Sequence, residues 1–361
     1  MRILVALNHP AHYYVFKYTV INLKLLGFSV IYVIKEKDIL EKLLISENVE
    51  YVKINKKRKR NANAFSVISN GIIELVKQDI NLFRLVIKWK PKLMIGTDMA
   101  ITHIGSLLGI PSFVFSEDDY EINMLFCKSA YPFATKIIAP DICTVGKYEN
   151  KKISYNGFQK MAYLNPKYFQ PDKSQIEKLI SKNEHYFVIR LVSLTSVHDI
   201  EGKHTGLTVK IIDSLIEELK TKGRIFISSE GKLNPKYEVF RLNIQPNKMH
   251  HLLAFASLFV GDSQTMCAEA GLLGTPFIRF NDFVGKIGIL NEIENKYKLG
   301  FGIKTDNPAM VLEKTREILS DPDIKNVWNE RRKTIFEEKV DVVQWYTDLI
   351  VNQYKVLNIN K

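Results

Sequence analysis

The sequence predicts an α/β protein built from two Rossmann-like parallel-sheet domains, and three observations carry that prediction. An apolar strand, a glycine, a helix and the phrase Leu-Leu-Gly-x-Pro occur twice, with Gly96 and Gly261 standing 165 positions apart. Continuous apolar runs alternate with helix-patterned ones, as parallel sheets covered on both faces require. The length of 361 residues also exceeds what one core comfortably organises.

The elements follow in order. Residues 2–7 are an apolar run ending at Asn8-His9-Pro10, a buried first strand and a loop. A helix runs to about residue 26 and stops at Gly27. Strands are expected at 28–34 and 49–54, with a helix at 37–45 between them. A long amphipathic helix over 65–89 is halted by Pro91. The first repeat copy then gives strands at 93–96 and 112–115, followed by a loop and helix over 117–130 and a strand at 136–139. Residues 153–172 break the pattern with Asn156-Gly157, Asn165-Pro166 and Gln170-Pro171, so they read as the linker. Beyond it come a helix near 174, a strand at 186–192, a polar loop at 193–204, a helix at 208–220 and a strand at 224–228. A short helix at 249–256 precedes the second repeat copy, with strands at 258–261 and 277–280. Helices are expected over 307–319 and beyond 324. The expected domains are 1–160, 161–330 and a C-terminal helix at 331–361. Trp328, Trp345 and Tyr346 lie in the C-terminal tail, where aromatics at helical spacing read as docking onto a core, and the last helix is expected to pack back on the first domain.

Composition narrows the function. The chain is 46% apolar and 25% charged, ordinary for a globular protein. No apolar run nears the roughly 20 residues that span a bilayer, and Met1 leads straight into a strand, so a cytoplasmic protein without signal peptide is expected. Cys127, Cys143 and Cys267 are unpaired by spacing and frame no metal site. Part of the net charge of +12 is concentrated in Lys53, Lys56, Lys57, Arg58, Lys59 and Arg60. This stretch reads as a solvated basic loop or as a contact with anionic lipid or a phosphorylated acceptor at the inner face of the membrane. No nucleic-acid module accompanies it.

The two repeat copies differ where chemistry belongs. The second reads Gly261-Asp262-Ser263-Gln264-Thr265 and sets Glu269 where the first has Ile104. Open α/β sheets bind ligands at the carboxyl ends of their strands. A helix starting there offers N–H groups and a partial positive charge to a diphosphate. Glu269 lies six residues past Ser263, about 9 Å along a helix, roughly the span from a diphosphate to ribose hydroxyls. Helix capping by Asp262 and Ser263 and a surface ion pair for Glu269 are the plain structural alternatives.

The segment from Asp262 through Glu269-Ala270 to Gly274-Thr275-Pro276 resembles the donor-nucleotide segment of the GT-B superfamily. That group includes sugar-nucleotide glycosyltransferases and UDP-N-acetylglucosamine 2-epimerases. The epimerases carry Asp-Ser-Gly-Gly where this chain has Asp262-Ser263-Gln264-Thr265. Across nearly its whole length the chain resembles the DUF354 family through His9-Pro10-Ala11-His12 and Tyr155-Asn156-Gly157. The resemblance implies a GT-B-like fold: two Rossmann-like domains facing a cleft, with C-terminal helices packing back. It also implies a nucleotide-diphosphate sugar, more readily UDP-linked, held by Arg190, Gly261, Asp262, Ser263, Gln264, Thr265 and Glu269.

The first domain is then the acceptor side. His9 and His12 lie in the loop after the first strand, where an imidazole suits deprotonation of an acceptor hydroxyl; a loop-to-helix connection whose rings hydrogen-bond nearby backbone is the plain structural alternative. The epimerase resemblance extends to Gly96-Thr97-Asp98, Phe115-Ser116-Glu117 and Glu121-Ile122-Asn123, making Glu117 and Glu121 candidates for proton transfer at a sugar carbon. Two departures count against that activity. His9-Pro10-Ala11 replaces an Arg-Pro-Glu setting, and Val188-Ile189-Arg190-Leu191 replaces a His-Arg-Arg run. Arg190 and Lys286, with Arg279 as a further cation, suit neutralisation of a leaving diphosphate without metal. His250 and His251 read as helix-start residues near the base pocket.

Other signals are set aside. No Gly-x-Gly-x-x-Gly or Walker-type loop follows a strand. Asp321-Pro322-Asp323 reads as helix capping, and His198, Asp199 and His204 lack ligand spacing. The expected function is glycosyl transfer from a nucleotide sugar to a carbohydrate or lipid-linked hydroxyl, with no cofactor and no metal. A sugar-nucleotide epimerase and a non-catalytic nucleotide-sugar-binding protein are the alternatives.

Overall fold

The computed structural model describes residues 1–35, 38–55, 64–181, 183–192, 206–229 and 231–359. Residues 56–60 of the basic stretch and the polar loop at 193–204, with His198, Asp199 and His204, lie outside these. The chain divides into two units, residues 1–163 with 340–361, and residues 164–339.

In the first unit every strand pairing is parallel. The strands are β1 (Arg2–Leu7), β2 (Ser29–Lys35), β3 (Tyr51–Asn55), β4 (Leu93–Gly96), β5 (Ser112–Phe115), β6 (Lys136–Pro140) and β7 (Lys152–Tyr155). Their order is β3-β2-β1-β4-β5-β6-β7. β1 is central and buried from Ile3 to Leu7, so its apolar run has core on both faces. β7 was expected to be the start of the linker. It pairs instead with β6 at the edge of the sheet, and only Tyr155 of its four residues is buried. An edge strand with one face toward solvent need not be continuously apolar, which is why its sequence reads as irregular.

The second unit is a five-stranded parallel sheet, ordered β12-β11-β10-β8-β9. These strands are β8 (Tyr186–Leu191), β9 (Arg224–Ser229), β10 (Leu258–Gly261), β11 (Phe277–Phe280) and β12 (Gly300–Ile303). Ile189, Ile227, Val260 and Ile278 supply one face of its core, against Ile212 and Leu215 of the helix Val209–Leu219. Each such side chain contributes roughly 1.5–3 kcal/mol on burial.

The twin Leu-Leu-Gly-x-Pro phrases do the same work in both units. Gly109 (φ 65°) and Gly274 (φ 81°) adopt the left-handed conformation that ends the helices Met99–Leu108 and Gln264–Leu272. The helix Ile324–Glu338 is held in the second unit by Trp328 Nε1, which donates to Leu299 O at 2.6 Å, and by Arg332 Nε, which donates to Leu272 O at 2.6 Å. Asp323 stands at the N-cap of this helix but makes no side-chain cap hydrogen bond: its Oδ1 accepts from Asn326 Nδ2 at 2.6 Å, and its N–H donates to Asp321 Oδ1 at 2.9 Å.

From Val340 the chain rejoins the first unit, and the helix Val342–Ile359 packs on the helix Pro10–Leu25. The Tyr346 and Tyr155 hydroxyls share a hydrogen bond of 2.7 Å, and Trp345 lies 4.9 Å from the Tyr155 ring. Among the described residues no helix is long and apolar enough to cross a membrane.

Candidate functional site

The second unit brings most of the expected nucleotide residues to the carboxyl edge of its sheet. Gly261 ends β10 in register with Arg190 of β8 and Arg279 of β11. A Cβ on Gly261 would stand 2.9 Å from Arg190 Cβ and 3.0 Å from Arg190 O, so a larger residue would force the two strand ends apart. Asp262 is buried and clasps the neighbouring strand ends. Its Oδ1 accepts from Val192 N at 2.8 Å, and its carbonyl accepts from Asn281 Nδ2 at 3.1 Å. That carboxylate shapes the loop.

Ser263 is the N-cap of the helix Gln264–Leu272, its Oγ accepting from Met266 N at 3.3 Å. Gln264 and Thr265 are half-buried at the first two helical positions, where N–H groups have no intrahelical acceptor. The positive end of the helix dipole lies there as well. Arg190 Nη1 donates to Ser228 Oγ on β9 at 2.7 Å, fixing the guanidinium at the same edge.

Glu269 is 5% exposed, so it is not a surface residue. Its Oε1 lies 3.3 Å from Nε2 of His250, itself buried in the helix Met249–Phe255. Nothing in the local sequence pairs these residues, which meet only because both helices pack on one face. Phe169 lies 6.0 Å from the His250 ring and 4.9 Å from that of His251. His251 Nδ1 accepts from Asp172 N at 2.9 Å, and burial pushes its pKa down against the pull of Asp172.

The two other expected cations differ in their surroundings. Arg279 is fully buried in a two-point pair with Glu294, at 2.6 and 2.9 Å, and so is unavailable to a phosphate. Lys286 is exposed, 5.9 Å from the Phe283 ring.

In the first unit the carboxyl ends of β1 and β4 are stapled together. Asn8 Nδ2 donates to Thr97 O at 2.9 Å and to Asp98 Oδ2 at 2.6 Å. Asp98, buried, caps the helix Met99–Leu108 through Ala100 N, accepts from Gln78 Nε2, and has Lys35 Nζ at 3.4 Å. Burial pushes the Asp98 carboxyl pKa up, but Lys35 and the hydrogen bonds outweigh it and hold the pKa below the usual range.

His9 is exposed and caps the helix Pro10–Leu25, its Nδ1 accepting from Ala11 N at 3.2 Å. His12, 6.0 Å away between ring centroids, accepts from Asn8 N at Nδ1, at 3.3 Å. With Nδ1 accepting, the neutral form of each ring carries its proton on Nε2.

The two expected glutamates part company. Glu117 is ion-paired to Lys160 and accepts from Gln159 N at 2.7 Å, tying down the segment after β7. Glu121 is exposed and accepts from Thr144 Oγ1 at 2.8 Å. No local pattern pairs Lys160 with Glu117, since 43 residues separate them.

Two parallel sheets of this kind recur in known structures over nearly the full chain. An S. aureus MnaA–UDP co-structure aligns with a TM-score of 0.65 at 13% identity, covering 99% of this chain and 96% of that one. The UDP-GlcNAc 2-epimerase from Neisseria meningitidis, bound to UDP-GlcNAc, aligns at 0.63 and 13% identity over 98% and 99%. The glycosyltransferase VinC, in complex with dTDP, aligns at 0.60 and 10% identity over 97% and 98%. The fold is therefore that of the GT-B glycosyltransferases and UDP-GlcNAc 2-epimerases. No curated protein matches the sequence. Residues 1–285 match the family described as protein of unknown function (DUF354), and the chain belongs to that family.

Proposed function

We propose that this protein is a metal-independent glycosyltransferase that moves a sugar from a nucleoside-diphosphate sugar, UDP-linked by preference, to a hydroxyl acceptor. The observation that carries the reading is the β10 edge. There Gly261, capping Ser263 and the half-buried Gln264 and Thr265 present a helix N-terminus, with buried Glu269 farther along the same helix. The helix N–H groups and Arg190 take the diphosphate, and Glu269 accepts the ribose hydroxyls. Asp262 acts by fixing the loop. Helix dipole and guanidinium supply the charge stabilisation for the leaving diphosphate. UDP and dTDP bound in fold neighbours support a nucleotide as the ligand class.

The acceptor side is assigned to the Asn8–His12 loop. Rotation of the exposed His9 ring about its Cβ–Cγ bond frees Nδ1 from the helix cap to take a proton from an acceptor hydroxyl. His12, half-buried against Asn8, donates from Nε2 and orients that hydroxyl. The acceptor class is a carbohydrate or lipid-linked hydroxyl in cell-surface polysaccharide or glycolipid synthesis, on the cytoplasmic side.

Transfer is favoured over 2-epimerisation because two of the candidate carboxylates are engaged, while Glu121 stands exposed beside Thr144. Asp98 is buried among Asn8, Gln78 and Lys35, and Glu117 is paired with Lys160. The test is turnover of a panel of nucleotide sugars with and without acceptors in heavy water. Acceptor-dependent release of the nucleotide, lost in Glu269→Ala and in the His9→Ala and His12→Ala variants, is the expected result. Acceptor-independent deuterium uptake at sugar carbon 2 would make the protein an epimerase instead. Tight nucleotide binding without turnover would make it a binding protein.

A further inference from the structure

The helix Ala64–Trp89 is amphipathic in a way that its own fold does not use up. Its inner face is buried, with Gln78 turned to Asp98 and Leu82 and Val86 in the core. On the outer face Ile73, Val76, Ile80 and Ile87 are each between 46% and 51% exposed. Their spacings of three, four and seven set them in one line along the helix. Lys77, Arg84 and Lys88 are exposed and run alongside that line. None of the three makes an ion pair among the described residues. The helix acids in the described stretch lie off this face: Asp79 is hydrogen-bonded to His103 at 3.0 Å, and Glu74 is half-buried. The strip runs about 22 Å from Ile73 to Lys88 at 1.5 Å per residue.

We propose that this face docks the protein onto an anionic phospholipid bilayer, with the four aliphatic side chains entering the headgroup boundary and the three cations meeting the lipid phosphates. An apolar stripe bordered by one sign of charge fits an interfacial helix. Charge decides against a second copy of the chain. An antiparallel pair centred on the strip would set Lys77 against the Arg84 of the second copy, and a parallel pair would set each cation against its own counterpart. The inference is independent of the nucleotide reading and uses none of residues 56–63.

The test is flotation of the full-length protein with phosphatidylcholine vesicles, with and without phosphatidylglycerol, in low and high salt. The variants are Lys77→Glu, Arg84→Glu and a triple Ile73→Ser/Ile80→Ser/Ile87→Ser, with exposed Leu125→Ser on another helix as the control. Because the altered side chains are exposed, thermal unfolding should match wild type, and a variant that unfolds early is replaced by the corresponding single substitution. The expected result is binding only to the anionic vesicles, weakened by salt. Each reversal removes a cation and adds an anion, so it should lower binding by at least roughly fivefold, and the triple variant should lower it at least about tenfold. Leu125→Ser should bind like wild type. Failure to bind anionic vesicles, binding untouched by the helix variants, or a dimer in sedimentation that those variants dissociate would each overturn the proposal.

Discussion

Replacing Glu294 by alanine should unfold the second unit far more easily than any surface change. Arg279 lies in β11 with no exposed surface, and Glu294 is its two-point partner at 2.6 and 2.9 Å. The guanidinium is already imperfectly compensated, because its Nη1 is buried without a hydrogen-bond partner among the described residues. Removing the carboxylate strands a full charge in the core, a loss of about 3–5 kcal/mol. With a urea slope of roughly 2 kcal/mol/M, the midpoint of the second unit should fall by about 1.5–2.5 M. The double variant Arg279→Met/Glu294→Leu removes the charge along with its partner. It should lie within about 1 kcal/mol of wild type or exceed it. Gly302→Ala should move in the direction of Glu294→Ala, because a Cβ there would collide with the Glu294 carboxylate. Urea unfolding followed by tryptophan fluorescence and far-UV dichroism reads all three. A loss below about 1 kcal/mol in Glu294→Ala, or a double variant as damaged as the single, would show that the buried pair does not hold the second unit together.

Two further outcomes follow from the titrating groups. Hydrogen bonding to Asp79 raises the His103 pKa above its ordinary 6.5 against partial burial, with help from the Ser129 carbonyl. A raised folded pKa stabilises below pH 6.5 and loses that contribution as pH climbs through the folded value. The advantage of wild type over His103→Gln, about 1 kcal/mol at pH 6, should therefore shrink by pH 9 in parallel melts. Asp98 has the opposite sign: its lowered pKa stabilises above about pH 4 and is lost as pH falls through the folded value. Asp98→Ala, which strands Asn8, Gln78 and Lys35, should cost about 3 kcal/mol at pH 7 and flatten the acid limb of the stability curve; an unchanged acid limb would remove Asp98 from that role.

Much of the fold is legible in the sequence because local rules act alone there. The twin glycine-to-glycine spacings yield twin strand–helix–strand units, and Ser263 caps the helix that its position suggests, whereas Asp262 clasps the strand ends instead. β12 escapes the sequence reading because Gly300-Phe-Gly-Ile is poor strand material by propensity. Its glycines serve packing: a side chain on Gly300 would enter the Phe277 ring, and one on Gly302 would meet Glu294. The site is half legible. The helix N-terminus at Ser263 follows from spacing, but the partners His250 for Glu269, Lys160 for Glu117 and Glu294 for Arg279 arise from chain crossings that no local pattern encodes.

Gly261, Ser263, Gln264, Thr265 and Glu269 are proposed to form one nucleoside-diphosphate site. Calorimetric titration of the intact protein with UDP and with its 2′,3′-dideoxy analogue tests this most directly, in wild type and Glu269→Ala. The account predicts that wild type prefers UDP, that Glu269→Ala loses at least about tenfold in UDP affinity, near 1.4 kcal/mol, and that the dideoxy analogue binds both forms alike. No binding of any nucleoside diphosphate, or an equal loss for both ligands, would contradict it.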